Sequence, residues 1–264
     1  MILLIDVGNT NTHLGLANAR CVTRQSGIPT ALWSGTRAKA RLRTFVRHAR
    51  VDAVVMCSVA PQVTPLLRKT LRQLWSLEAL ELTAKTRTGL GIDYPRPETI
   101  GPDRLANALA ARDRFGAPVV VVDFGTAVTF DVVNSAGNYA GGIIAPGLAA
   151  MTEYLHEKTA LLPRITIREI KSPIGRSTEQ AMLVGAVHGY RGLIRELLLE
   201  LRRELKARRL PVVATGGYAR LMSAKLPEIT AVQPNLTLEG LRLVWRANAP
   251  CPECRLQTAR RRTA

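Results

Sequence analysis

The chain has 264 residues, 47% of them hydrophobic and 22% charged, which is typical of a globular protein and argues against a disordered or fibrous one. Its longest apolar runs, such as 117–122, are much shorter than the roughly 18 residues of a membrane span. The N-terminal segment argues against a secretory signal, because it has no basic residues and Asp6 interrupts its apolar run. The 37 Lys and Arg against 20 Asp and Glu give a net charge of +17, which favours anionic substrates or polyanionic partners.

The first half of the chain predicts strands and helices in alternation, beginning with two short strands around a glycine turn. The apolar residues 2–5 lead into Asp6, and a second strand is expected at 12–16. Residues 20–50 contain eight Lys and Arg and no acid. The other elements predicted in this half are a helix over 38–50, a buried strand over 53–58, an amphipathic helix over 61–75, a strand over 78–83, a loop over 86–102 and a helix over 103–115.

The second half predicts a similar series. A buried strand is expected at 118–122, followed by strands at 128–133 and 139–145. Helices are then predicted over 148–156 and 178–208, the second with leucines at helical spacing, and a strand at 210–214 leads into a Thr-Gly-Gly turn. The last helix is expected at 237–247, and residues 250–264 form a basic tail that we expect to be mobile.

The four cysteines do not form a disulfide framework in a chain of this length. Cys21 and Cys57 stand in apolar surroundings and are expected to be buried thiols. Cys251 and Cys254 lack the second ligand pair that a zinc site needs, so a tail without metal is favoured, although a site shared between two subunits stays open. Free thiols and the missing signal predict a cytoplasmic protein.

Two segments resemble each other, LLIDVGNTNTHLGL at 3–16 and VVVDFGTAVTFDVV at 120–133. Each contains an apolar strand, an Asp near its end, a Gly, a turn with hydroxyl side chains and a second strand. The repeat predicts a duplicated α/β protein with a nucleotide cleft between its halves. We expect an N-terminal domain over 1–115, a C-terminal domain over 116–249 and the tail over 250–264.

The turn of each repeat suits phosphate chemistry. Small residues let backbone amides converge on an anion, and an Asp at a strand end can hold Mg²⁺ directly or through water. Two such turns facing each other would enclose the phosphates of a nucleotide. The alternative interpretation is a pair of ordinary β-hairpins with glycine turns.

Five motifs, in order along nearly the whole chain, resemble type III pantothenate kinase of the actin/hexokinase/Hsp70 superfamily. They are DVGNTNTHLGL, GPDRLANALAA, DFGTAVTFDVV, GGIIAPGL and TGG. The resemblance implies two ribonuclease H-like domains and phosphorylation of pantothenate by ATP with Mg²⁺, the first step of coenzyme A biosynthesis. It also implies a homodimer with the substrate site near its interface, and a requirement for a monovalent cation, K⁺ or NH₄⁺.

The resemblance also assigns residues to ATP and metal. Asp123 would belong to the monovalent cation site, and Thr215, Gly216 and Gly217 match the adenosine motif of the superfamily. His13 lies at a variable position and is not expected to be catalytic. The residues implied to contact ATP are Asp6, Val7, Gly8, Asn9, Thr10, Asn11, Thr12, His13 and Thr126.

The GPDR motif opens a predicted helix and has two interpretations. Asp103 could be an ordinary helix cap, or it could accept a proton from a substrate hydroxyl while Arg104 pairs with a carboxylate. The resemblance implies the second, with Asp103 as the catalytic base; Pro102 stands where the family usually has a small residue. The implied pantothenate contacts are Tyr94, Gly101, Pro102, Asp103, Arg104 and Thr178.

Thr178 has a second interpretation as part of a helix cap, because Ser177 or Thr178 followed by Glu or Gln is typical of a capping box. The resemblance implies instead a pantothenate contact made across the dimer interface.

For the whole chain, two other functions stay open. One is a nucleic-acid-binding or regulatory protein on a kinase-like fold, motivated by the charge, and the other is a related kinase with another substrate.

Overall fold

The computed structural model describes residues 1–249. The tail predicted at 250–264, with Cys251 and Cys254, lies outside the described residues. Within residues 1–249, no helix combines the length and the apolar character that crossing a bilayer requires.

The first five strands form one sheet. They are β1 (Ile2–Val7), β2 (Asn11–Ala17), β3 (Val22–Pro29), β4 (Ala53–Ser58) and β5 (Ala79–Glu81), in the order β3-β2-β1-β4-β5. All six residues of β1 are buried. The strand is apolar over nearly its whole length because both faces of the sheet are covered at its centre.

The remaining six strands form a second sheet. They are β6 (Gly91–Ile92), β7 (Val119–Phe124), β8 (Ala127–Val133), β9 (Asn138–Pro146), β10 (Val212–Thr215) and β11 (Ala231–Val232), in the order β11-β10-β7-β8-β9-β6. β7 and β10 are almost entirely buried.

The two sheets share one pattern of pairing, which confirms the duplicated fold predicted from the repeat. β1 is antiparallel to β2 and parallel to β4, and β7 is antiparallel to β8 and parallel to β10. Asp6 is the last residue but one of β1, and Asp123 is the last residue but one of β7. The turns differ slightly, because four residues separate the last paired residues of β1 and β2 and three separate those of β7 and β8.

Eight α-helices complete the described part of the chain. They are α1 (Thr36–Val46), α2 (Thr64–Trp75), α3 (Pro102–Phe115), α4 (Leu148–Lys158), α5 (Thr178–Val184), α6 (Tyr190–Glu204), α7 (Ala219–Ser223) and α8 (Leu236–Asn248). The helix predicted over 178–208 is α5 and α6 joined by a π-helical turn at Gly185–Gly189, and it ends at Glu204. Short 3₁₀ turns cover Thr30–Ser34 and Pro97–Thr99.

The helices α3 and α8 lie between the two sheets. One apolar cluster joins these helices to Leu4 and Val55 of the first sheet and to Val121 and Val213 of the second. The outer face of the first sheet packs on α1 and α2, and that of the second packs on α6 and α7. α3 therefore contacts both halves of the protein.

Three strands were not predicted. β3 is exposed over most of its length, so its sequence lacks the apolar alternation that indicates a strand. β6 and β11 have two residues each, too few for a periodic signal. β6 lies in the segment expected to be a loop, and its pairing with β9 attaches that segment to the second sheet.

The two described cysteines differ in burial. Cys57 is buried, as expected. The expectation for Cys21 was wrong, because it is exposed just before the edge strand β3.

The packing of α3 on α8 depends on Gly240, where a Cβ would lie 2.1 Å from the backbone oxygen of Ala106. We expect Gly240→Ala to lower the free energy of unfolding by about 1–3 kcal/mol, because backbone cannot give way as a side chain can. The matched control is Gly192→Ala in α6, where a Cβ meets nothing within 4 Å. There the better helix propensity of alanine should raise the free energy of unfolding by about 1 kcal/mol. Urea unfolding followed by circular dichroism measures both, and equal stabilisation would contradict this packing.

Candidate active site

The turns of the two repeats meet in the cleft. The hydroxyl oxygens of Thr10 and Thr126 are 3.0 Å apart, within hydrogen-bond distance, although 116 residues separate them. The pattern that predicted two facing turns is thus realised as a direct contact between their side chains.

Not every backbone amide in these turns is available to a ligand. Gly8 donates to the carbonyl of Asn11 at 3.0 Å, and Gly125 donates to that of Ala127 at 3.1 Å. These two amides therefore close their own turns. The amides of Asn9 and Thr10 have no partner within residues 1–249 and remain as donors.

The residues implied to contact ATP divide by burial. Val7 and Thr12 are fully buried, and the Thr12 hydroxyl lies 3.0 Å from the Thr30 hydroxyl and accepts from the Trp33 indole at 3.0 Å. Their side chains hold the first turn from behind. The exposed members of the set are Asn9, Thr10, Asn11, His13 and Thr126.

Asp6 stands at the base of the first turn with two side-chain partners. The Cys57 thiol donates to its Oδ1 at 3.3 Å, and Nδ1 of His13 lies 3.5 Å from its Oδ2. The hydrogen bond with Asp6 raises the pKa of His13, and burial raises the pKa of the Cys57 thiol. Asp6 thus favours a positive charge on His13 at the mouth of the cleft.

Asp103 lies at the second position of α3. Gly101 occupies the cap position and makes no side-chain hydrogen bond, so Asp103 is not the cap that one interpretation allowed. Its Oδ1 accepts from the backbone amide of Arg104 at 2.9 Å. Burial, and then the negative charge of Asp6, raise the pKa of Asp103, which makes it a better proton acceptor when ionised.

Asp123 occupies in the second repeat the position that Asp6 occupies in the first. Buried Asn107 of α3 donates to its Oδ2 at 3.1 Å and accepts from the Thr237 hydroxyl of α8 at 2.8 Å. Gly216, with φ of +89°, brings its backbone so close that a Cβ would lie 2.5 Å from Oδ1 of Asp123. Burial raises the pKa of Asp123 to about 6.

Arg104 points away from Asp103 toward the second sheet. Its Nε donates to Oδ1 of Asp131 at 2.6 Å, and its Nη2 donates to the carbonyl of Phe130 at 2.8 Å. The guanidinium carbon lies 6.0 Å from the ring centre of Tyr139, and the Tyr94 ring meets Tyr139 edge-on at 6.3 Å. Tyr94, 39% exposed, is thus connected to Arg104 through the Tyr139 ring that both of them meet.

Thr178 is exposed at the start of α5, and none of its hydrogen bonds within residues 1–249 reaches the cleft. The helix cap predicted there is present at Ser177, although the reciprocal bond of a capping box goes to the neighbouring residue Arg176. The Ser177 hydroxyl accepts from the amide of Gln180 at 3.2 Å, and the Gln180 side chain accepts from the amide of Arg176 at 2.9 Å. The fold of one chain therefore does not bring Thr178 to the other predicted residues.

A cavity of about 490 Å³ continues the cleft beyond His13. The first sheet contributes Gly27, and the second half contributes Gly216, Gly217 and Thr237. Its place between His13 and the Thr-Gly-Gly turn fits the adenosine part of a nucleotide. A flat base could slide between glycines that carry no side chains.

The donor set fits a cation that is shared with phosphates. Residues 1–249 hold no ready-made cluster of three or more His, Cys, Asp or Glu. Burial, together with the negative charge of Asp6, raises the pKa of both Asp103 and Asp123, so a cation in the cleft would stabilise their ionised forms. Mg²⁺ characteristically takes one or two carboxylates together with substrate phosphates, which suits this arrangement.

Three residues of the site were missed by sequence reasoning: Asn107, Asp131 and Tyr139. Asn107 interrupts an alanine- and leucine-rich helix, and Asp131 interrupts a buried strand. A polar residue in an otherwise apolar buried element is a usable signal, because burying it without a partner is costly. Tyr139 carried no such signal.

Comparison with known proteins gives one family. The profile described as "Type III pantothenate kinase" matches residues 2–200. A type III pantothenate kinase of Akkermansia muciniphila is 46% identical over 248 residues, covering 93% of this chain and 98% of its own length. That of Geobacter sulfurreducens is 37% identical, covering 94% and 99%.

Solved structures agree on the fold. A structure described as a Baf family transcriptional activator of Campylobacter jejuni has a TM-score of 0.57 at 17% identity, covering 93% of this chain and 98% of its own. A ROK hexokinase of Thermus thermophilus has a TM-score of 0.50 at 13% identity, covering 92% and 97%. At such identities the likeness concerns the fold alone, which is the actin/hexokinase type that the motif resemblance implied.

The raised pKa of Asp123 predicts a dependence of stability on pH. An acid with a raised folded-state pKa destabilises the fold when ionised, so the cost is absent below about pH 4 and complete above about pH 6. In buffers whose only cation is tetramethylammonium, we expect Asp123→Asn to be more stable than the parent by about 2 kcal/mol at pH 8 and to lose this advantage toward pH 4.5. Urea unfolding at the two pH values tests it; a difference independent of pH would contradict the burial of this charge.

Proposed function

Because the chain belongs to the type III pantothenate kinase family, we propose that it transfers the γ-phosphoryl group of ATP to the primary hydroxyl of pantothenate, the first step of coenzyme A biosynthesis. The structural observation that carries the proposal is the meeting of the two turns beside Asp103. The contact between Thr10 and Thr126 and the influence of the Asp6 charge on Asp103 support a base next to a phosphate site. Reduced thiols such as Cys57 and a need for ATP fit a cytoplasmic location.

The turns supply the phosphate contacts. The amides of Asn9 and Thr10 and the hydroxyls of Thr10 and Thr126 lie at the meeting point and can donate to phosphate oxygens. His13, with its raised pKa, adds positive charge there. Phosphoryl transfer leaves little covalent chemistry to the protein, so holding the two substrates in line provides most of the acceleration.

Asp103 acts as the base. Its carboxylate takes the proton of the pantothenate hydroxyl as that oxygen bonds to the γ-phosphorus, and the bond to the bridging oxygen breaks to release ADP. Arg104 and Tyr94 bind the other end of pantothenate, where the outer end of the guanidinium meets the carboxylate. Gly101 and Pro102 line the approach to this helix start.

Two carboxylates are assigned to cations. Asp6 would hold Mg²⁺, which neutralises charge on the phosphates when bound. Asp123 would hold the monovalent cation, K⁺ or NH₄⁺. The physical support is its costly burial as an ion, which a bound cation would relieve.

A homodimer would complete the substrate site. Large apolar side chains are exposed along β9, α4 and the segment that follows it, and such a patch marks an interaction surface. Its members are Ile144, Met151, Tyr154, Leu155, Leu161 and Ile174. Thr178 follows this patch along the chain, so a partner seated on it would bring its own Thr178 toward this subunit's site.

The activity assay couples ADP release to a colour change with ATP, Mg²⁺, K⁺ and pantothenate. The product is identified by mass spectrometry as 4′-phosphopantothenate. Turnover is expected to require pantothenate. Absence of turnover under these conditions would overturn the proposal, and turnover of another hydroxylated acid in its place would indicate a related kinase.

The base assignment predicts that Asp103→Asn lowers kcat about 10²–10⁴-fold, because an amide cannot take the hydroxyl proton. ATP binding, measured by calorimetry, should stay within about threefold, since Asp103 is not among the phosphate donors. The control is Asp113→Asn on the exposed side of the same helix, which should keep its activity. A kcat near the parental value in Asp103→Asn would contradict the role.

The dimer predicts complementation between two inactive variants. Asp103→Asn and Thr178→Ala, mixed and reassociated, should recover about a quarter of the parental activity, because half of the dimers would contain one intact site. The control mixes Asp103→Asn with Arg104→Ala, two residues that one subunit contributes to the same site, so every site of a mixed dimer carries one of the two changes and no activity should return. An Asp103→Asn/Thr178→Ala mixture that stays as inactive as this control would mean that Thr178 acts within its own subunit or not at all.

A further inference from the structure

Asp131 is a carboxylate where an apolar residue would be expected. It lies in β8 with no exposed surface, opposite Val121 on one neighbouring strand and Gly142 on the other. It faces the layer occupied by α3. Burying a carboxylate in such a place is costly unless a partner compensates it, and burial raises the pKa of Asp131 to about 7 although Arg104 lowers it.

The contacts of Asp131 fix one edge of a single side chain. Its Oδ1 accepts from Nε of Arg104 at 2.6 Å and from the Tyr139 hydroxyl at 3.4 Å, while Nη2 of Arg104 donates to the carbonyl of Phe130 at 2.8 Å. Nε and Nη2 form one side of the guanidinium plane. Nη1, at its outer end, has no partner among residues 1–249.

The backbone beside the guanidinium is shaped to admit it. Gly142 of β9 lies so close that a Cβ there would stand 2.7 Å from Nη2 of Arg104 and 1.7 Å from the carbonyl oxygen of Phe130. A side chain at this position would push the guanidinium out of its seat. Gly142, in the motif GGIIAPGL, thus provides the room for Arg104.

Stability alone does not account for this pair. Oδ2 of Asp131 is buried with no partner in the described part of the chain. A buried ion pair is often no more stabilising than apolar residues of the same volume, and an unpartnered oxygen makes the balance worse. The arrangement gains something else, which is a guanidinium with a fixed orientation.

We propose that Asp131 positions Arg104 to recognise the substrate's carboxylate, so that this buried pair sets the preference for a carboxylic acid over a neutral analogue. The proposal rests on the proposed function and deepens it. Asp131 is a positioning residue, because it acts through Arg104 and does not touch the reacting atoms. Without it the guanidinium keeps its charge and loses its direction.

The test compares pantothenate with pantothenol, in which a primary alcohol replaces the carboxylate. We expect Asp131→Asn to lower the ratio of kcat/KM for pantothenate over pantothenol at least about tenfold, mainly through KM for pantothenate, with KM for ATP changing less than about threefold. A loss that is equal for both compounds would overturn the proposal, because a structural defect does not distinguish them.

The matched control is Glu169→Gln. Glu169 pairs with buried Arg191 at 2.6 Å and 3.0 Å, and Arg191 also donates to the carbonyl of Leu221, so the arrangement repeats that of Arg104 away from the cleft. Glu169→Gln should lower stability and leave the pantothenate-to-pantothenol ratio as in the parent. A lower ratio in this control would show that any disturbed buried pair has the same effect, and would overturn the specific role of Asp131.

A double variant keeps the test decisive if Asp131→Asn does not fold. Arg104→Gln/Asp131→Asn carries no uncompensated buried charge. Its ratio should equal that of Arg104→Gln alone, since Asp131 acts only through Arg104, and a further fall would overturn the proposal. A parent that phosphorylates neither compound refutes the proposed function itself, whereas normal turnover of pantothenate with an unchanged ratio in Asp131→Asn refutes only the role of Asp131.

Discussion

The site depends on the burial of α3 between the two sheets. This helix packs on α8 and on both sheets, so the position of its first turns is fixed by the core. From there Asp103 lies within the field of Asp6, Arg104 reaches Asp131, and Asn107 reaches Asp123. One rigid helix start thus connects the two copies of the repeat, and movement of the sheets relative to each other would separate these groups together.

Carboxylates are concentrated inside the cleft of this protein, and positive charge is concentrated outside it. Burial, together with the negative charge of Asp6, raises the pKa of Asp103 and of Asp123 there, which prepares the cleft for cations. Outside, segment 20–50 has no acid, and its only ion pair with a carboxylate among residues 1–249 joins Arg50 to Asp52. The net charge of +17 therefore lies largely on the surface, where it attracts anions such as ATP and pantothenate without taking part in the chemistry.

The sequence allowed the fold to be predicted where its signals were periodic or repeated. The two strand–Asp–turn–strand units gave the duplication, and Ala53–Ser58 formed as expected. The exposed edge strand β3 and the two-residue β6 escaped prediction because a strand of that kind is defined by its partner, not by its own residues. The same holds in the site: Asp103 stood in a recognisable motif, whereas the pairing of Arg104 with Asp131 depends on which strand faces α3, and the distance between the two residues in sequence gave no indication of it.

The central claim is that the two turns and the start of α3 form one site for ATP and pantothenate. A crystal structure with a non-hydrolysable ATP analogue, Mg²⁺ and pantothenate tests it most directly. The account predicts the triphosphate between Thr10 and Thr126, the pantothenate hydroxyl within hydrogen-bond distance of Asp103, and the carboxylate on Nη1 of Arg104. Pantothenate bound elsewhere, or a hydroxyl out of reach of Asp103 with both ligands present, would contradict it.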